Sequence, residues 1–127
     1  MNKKVLIIED EKDLRIAMAD VLRRNKFAVF EAQDGEAGLA VAFAEHPDIV
    51  LLDVLMPKMD GMTALGKLRS DPWGKDVPVI ILTNLNATDE RVIEDIVTHK
   101  PLHYFIKSDW DIRAIVEEIR KTLAQTR

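Results

Sequence analysis

Short apolar runs alternate with longer amphipathic segments along the whole chain. "VLIIED" (Val5 to Asp10) reads as a strand that stops in two acids. In "EKDLRIAMADVLRRN", Leu14, Ala17, Met18, Val21 and Leu22 recur at helical spacing. "FAVFEA" is a second strand, and the Ala-rich "DGEAGLAVAFAEH" is a second helix with Pro47 just past its end. "DIVLLD" is a third strand, followed by the helix "GMTALGKLRS" and the turn-rich "DPWG". "VPVIILT" is a fourth strand. "DERVIEDIVTH" is a fourth helix, ended by Pro101. "YFIK" is a fifth strand. The last helix, "DIRAIVEEIRKTL", puts Ile112, Ile115, Val116, Ile119 and Leu123 on one face.

Five β-α units with short connections predict a parallel sheet covered by helices on both faces. "VLII", "IVLL" and "VIIL" are apolar without alternation, which is the mark of strands buried on both sides. Those three belong in the middle, and the more mixed "FAVFEA" and "YFIK" belong at the edges. A doubly wound α/β sheet of order 2-1-3-4-5, the flavodoxin-like (βα)5 arrangement, satisfies this with right-handed crossovers.

Composition narrows the picture. A chain of 127 residues fits one domain, expected to span 1–127, with room for a full core. Net charge is −4 with no long basic block, so nucleic acid is not an expected partner of this domain. The chain has no cysteine, which removes disulfides and thiolate metal sites and fits a cytoplasmic protein. "KK" ahead of "VLII" is a faint echo of a secretion signal, but the apolar run is too short for one, and no segment approaches membrane-spanning length.

Candidate chemistry gathers at the strand ends. The greasy run "IVLL" finishes in Asp53, the first strand in Glu9 and Asp10, the fourth in Thr83, the fifth in Lys107. In a parallel sheet these ends share one edge. In the order 2-1-3-4-5 the topological switch lies between strands one and three, where ligands bind. Glu9, Asp10 and Asp53 are therefore expected to meet. Three carboxylates together repel unless neutralised. An oxygen-only donor set suits a hard divalent ion such as Mg²⁺ rather than zinc. Acid, metal, hydroxyl and ammonium describe phosphoryl chemistry at a carboxylate, which forms an aspartyl phosphate.

"ED" after strand one, "DVLMPKMDG" after strand three, the Thr after strand four and "YFIK" on strand five together resemble the receiver domain of two-component response regulators, over essentially the whole chain. The resemblance implies roles, residue by residue. Asp53 is the phosphoacceptor. Asp10 is a direct Mg²⁺ ligand, Glu9 holds metal-bound water, and the backbone carbonyl of Leu55 is a further ligand. Thr83 turns toward the phosphoryl group, Lys107 pairs with it, and the Tyr104 rotamer follows the Thr. Pro57 and Gly61 shape the loop over the site. The implied donor is a histidine kinase or histidine phosphotransfer protein. The implied readout is a face formed by the fourth helix, fifth strand and last helix, used for a downstream protein partner or self-dimerisation. The resemblance thus implies a signalling phosphoacceptor that assists its own phosphorylation and dephosphorylation, not an enzyme.

Departures from that pattern concern the same site. Ser108 follows Lys107 where the family usually has proline; Asn84 stands where a small residue is usual; Leu55 and Leu85 flank the expected water path and imply an altered phosphoryl lifetime. Other readings remain open. Glu9 and Asp10 also suit helix caps, as does Asp60. A phosphatase using the same intermediate would need an acid at Leu55. A nucleotide or flavin site would need a Gly-rich loop where "EDEKD" stands. A constitutive interaction module would leave Asp53 unmodified. His99 and His103 are separated by Pro101, so they do not share a helix face. Trp110 reads as a cover for the core, with a partner contact as the alternative.

Overall fold

The computed structural model describes residues 2–53, 61–83, 103–106 and 112–125, with the backbone alone for 61, 62, 83, 103–106 and 125. In chain order the elements are β1 (Lys4–Ile8), α1 (Lys12–Arg24), β2 (Ala28–Ala32), α2 (Gly35–Glu45), β3 (Ile49–Asp53), α3 (Gly61–Arg69), β4 (Val79–Thr83), β5 (His103–Ile106) and a C-terminal helix (Ile112–Gln125). The helix predicted over Asp89–His99 lies outside the described residues. All strand pairs are parallel, and the sheet order is β2-β1-β3-β4-β5.

The non-alternating runs have a direct explanation in this order. On one face Leu6, Ile8, Val50, Leu52, Val79 and Ile81 pack against Leu39, Ala42, Ala64, Leu65 and Leu68 of α2 and α3. On the other, Val5, Ile7, Ile49, Leu51, Ile80 and Leu82 pack against Met18, Ala19 and Leu22 of α1 and Ile115, Val116 and Ile119 of the C-terminal helix. The apolar residues of the interior strands thus meet a helix layer whichever way they point.

Local chemistry fixes the helix ends. α2 starts at Asp34, whose Oδ1 accepts from the Ala37 N–H at 2.8 Å. It ends at His46, which takes a left-handed conformation (φ 47°) and stacks on Trp73 with ring centroids 4.4 Å apart. α1 has Asp13 in its first turn and Arg23 and Arg24 in its last, complementing the helix dipole. Its apolar stripe differs from the predicted one: Ala17 is exposed, and Ala19 is buried in its place. The stripe that meets the sheet runs through Met18, Ala19 and Leu22, and Ala17 falls outside it. The α3–β4 connection is held by Arg69, whose Nη1 donates to the Gly74 and Val77 carbonyls at 2.8 and 2.7 Å. Burial lowers the Arg69 pKa, against an opposing pull from Asp76.

A candidate phosphoacceptor site

Register places the acids. β1 and β3 pair with Ile8 opposite Leu52, so Glu9 and Asp53 come next on adjacent strands. Both follow the parity of Val5, Ile7, Ile49 and Leu51, which point to the face covered by α1. Ligating oxygens of Glu9, Asp10 and Asp53 all lie within 4.8 Å of one another. Glu9 and Asp53 are buried, at 0% and 2% exposure, while Asp10 is open to solvent. The apolar run that ends in Asp53 therefore delivers a carboxylate to the floor of a crevice whose upper wall is wet.

Charge decides what this arrangement accepts. Two like charges about 5 Å apart cost roughly 3 kcal/mol at an effective dielectric of about 20. A trio of carboxylates compounds this, and one hard cation bound by oxygen offsets it. The donor set fits such an ion: oxygen only, with an exposed side through which water completes the shell. The N-cap of α1 is Glu11 rather than Glu9 or Asp10, and its side chain makes no cap bond. Glu9 Oε2 instead accepts from the Glu11 N–H at 3.1 Å, and so steadies the turn that leads into α1.

Thr83 closes β4 at the same sheet edge, its backbone paired with Ile106, and Tyr104 pairs with Ile81. Asp53 pairs with Leu82, one residue before Thr83. Gly61 opens α3. Leu55, Pro57, Asp60, Asn84, Leu85, His99, Pro101, Lys107, Ser108 and Trp110 lie outside the described residues. Sequence patterning overlooked Arg15. Its Nη1 donates to the Glu9 carbonyl at 2.9 Å and its Nε lies 3.4 Å from Glu31 Oε1. Its place near the start of α1, in "EDEKDLR", is the only trace of that role in the sequence.

Fold and acidic crevice together define a class, a doubly wound sheet with carboxylates at its switch point. Residues 5–120 match the model of the response regulator receiver domain, and the chain belongs to that family. The chain is 39% identical over 93 residues to Response regulator PleD of Caulobacter vibrioides, covering 72% of this chain and 20% of PleD; it thus spans about a fifth of that relative's length. Among solved structures, it is similar to a Francisella response regulator receiver domain (TM-score 0.87, 27% identity, 99% of this chain and 100% of that one). The receiver domain of the Pseudomonas aeruginosa sensor histidine kinase PA1611 shares the fold (TM-score 0.88, 22% identity, 98% and 100% coverage), and that protein carries a magnesium ion in its active-site cleft. The receiver family takes the phosphoacceptor role in two-component signalling, and its members work with histidine kinases and phosphotransfer proteins. No helix among the described residues is long and apolar enough to cross a membrane.

Proposed function

We propose that the chain is a phosphorylatable switch in which Asp53 accepts a phosphoryl group from a histidine kinase or phosphotransfer protein. The observation that carries this reading is the convergence of Glu9, Asp10 and Asp53 within 4.8 Å at the carboxyl edge of β1 and β3. An Asp53 oxygen attacks phosphorus; a new O–P bond forms as the donor's bond to phosphorus breaks, leaving an aspartyl phosphate. Glu9, Asp10 and Asp53 hold Mg²⁺ in this reading, with the Leu55 carbonyl as a further ligand. Bound there, Mg²⁺ supplies positive charge against which the phosphoryl oxygens are neutralised. The buried position of Asp53 keeps bulk water from one side of the carboxylate. Asp10, at the exposed wall, keeps the site open to a donor protein.

Thr83 and Lys107 are the groups that would answer the new charge, and Tyr104 would follow them. The change biases two packings of one fold rather than creating a new one. The readout face is the segment 89–99, β5 and the C-terminal helix, offered to a protein partner or a second copy. The chain acts as a signalling phosphoacceptor in the cytoplasm, without nucleic-acid contact of its own, and not as a turnover enzyme.

The test is intact-mass analysis after incubation with acetyl phosphate, with and without Mg²⁺, beside Asp53→Asn. A single phosphoryl adduct that needs both Mg²⁺ and Asp53 is expected. Absence of an adduct, together with no binding of beryllofluoride by folded protein, would replace this reading with a constitutive interaction module.

A further inference from the structure

We propose that Arg15 is a positioning residue for the acidic site, setting its divalent-cation affinity by locking the carboxyl end of β1 to the edge strand β2. The inference rests on reading that site as a cation-assisted phosphoacceptor. It starts from where the β1–β2 ladder ends. The Glu9 N–H donates to the Ala32 carbonyl at 3.0 Å. The Glu9 carbonyl then accepts from Arg15 Nη1 at 2.9 Å. That carbonyl and the Asp10 N–H belong to one rigid peptide plane. A bond that holds the carbonyl therefore fixes the orientation from which the Asp10 side chain departs, as well as the carboxyl end of the Glu9 backbone.

The guanidinium is itself held. Arg15 Nε lies 3.4 Å from Glu31 Oε1, with Arg15 and Glu31 side chains 14% and 26% exposed. The other oxygen, Glu31 Oε2, takes Arg23 Nη2 at 3.2 Å, and Arg23 also donates to the Val29 carbonyl at 3.3 Å. Glu31 is thus gripped from both sides on the α1 face of the edge strand. A planar fork spans carbonyl and carboxylate at once, which an ammonium on a flexible stem does not do in one fixed geometry. Arg15 grips Glu9 by its main-chain carbonyl, so its leverage on the acidic trio runs through the backbone.

Two effects of removing Arg15 have opposite signs. Loss of a cation beside a cation site tightens metal binding by simple electrostatics. Loss of a clamp loosens Asp10 and weakens it. Positioning predicts the second. The experiment is calorimetric titration of the full chain with Mg²⁺, for wild type, Arg15→Ala, Arg15→Lys and Glu31→Ala, with apo thermal unfolding measured beside each. Wild type is expected to bind. Arg15→Ala is expected to bind about tenfold more weakly, the range typical for partners that orient metal ligands. Arg15→Lys should fall between them, and Glu31→Ala should weaken binding less than Arg15→Ala. A purely structural role lowers the apo unfolding temperature and leaves the affinity of the folded protein unchanged. Folded Arg15→Ala that binds Mg²⁺ as tightly as wild type, or more tightly, overturns the proposal. Should Arg15→Ala not fold, wild-type affinity in both Arg15→Lys and Glu31→Ala overturns it equally. Wild type that does not bind Mg²⁺ at all overturns instead the reading of the acidic site on which the proposal stands.

Discussion

Gly38 lies where α2 packs tightly on β1, and its substitution separates helix propensity from packing. A methyl group built there would meet the Ile8 side chain at Cδ1, at Cγ1 (2.7 Å) and at Cγ2 (3.0 Å). Propensity alone favours Gly38→Ala by about 1 kcal/mol, since Gly38 is interior to a helix. Overpacking of a filled core costs about 1–3 kcal/mol. Ile8 is 3% exposed in the same cluster as Leu39 and Ala42, and the cavity it lines with Gly38 and Leu65 is small, so Ile8 can give only in part. The net expectation is destabilisation by about 1 kcal/mol, the difference of those two terms. Ile8→Val, which removes the nearest atom, costs about 0.5–1.5 kcal/mol alone. Combined with Gly38→Ala it removes part of the clash, so the double variant should be about 1 kcal/mol more stable than the sum of the singles predicts. Urea unfolding of the four proteins reads this as shifts in midpoint at unchanged slope. Gly38→Ala that is more stable than wild type would refute the close approach, and strict additivity would refute Ile8 as its cause.

Three further outcomes are expected. His46→Ala should lower stability by about 1 kcal/mol through loss of the ring stacked on Trp73, whereas His46→Gly should be milder because glycine relieves the left-handed backbone; equal losses in urea unfolding would deny the backbone strain. Asp34→Ala should cost about 1 kcal/mol, or more given its burial, by stripping the α2 cap, and Asp34→Asn should recover most of it on the same assay. Arg69→Met should destabilise by about 2 kcal/mol because two carbonyls of the α3–β4 connection lose a charged donor, discounted for partial exposure; amide exchange should rise first at Gly74 and Val77, and unchanged protection there would contradict the clasp.

Sequence patterning identified the layers of this fold because each of the three interior strands carries four consecutive apolar residues and the helix layers had to lie on both sides of them. It was weaker where that pattern carries no direction. α2 is apolar nearly all round, so its period could not say that Gly35, Gly38, Leu39 and Ala42 face inward while Phe43 stands 40% exposed. The Phe43–Trp73–His46 aromatic group joins residues far apart in the chain, and no local spacing announces it. Arg15 was illegible for the same reason. Its partners are the carbonyl of Glu9, just past one strand, and a carboxylate on another, and neither has a signature at fixed distance from an arginine.

The acids were legible because the fold leaves them one arrangement. Side chains alternate along a strand, so a slip of one residue between β1 and β3 would send Glu9 and Asp53 to opposite faces. The same slip would turn Val5 and Ile7 away from Met18 and Leu22, and Leu6 and Ile8 away from Leu39 and Leu65. Register is therefore fixed by the fully buried residues that precede the site, not by the acids, whose mutual repulsion opposes their own convergence. The core holds three carboxyl groups together, and a divalent cation, where one binds, would relieve part of the repulsion between them. It follows that neutralising one of them should stabilise the protein without metal. Asp53→Asn is expected to unfold at a higher urea concentration than wild type in chelator, and the gap should narrow or reverse as Mg²⁺ is added. A variant less stable than wild type in chelator would show that Asp53 is held by favourable bonds that outweigh the repulsion, and would remove the argument that the core imposes the site.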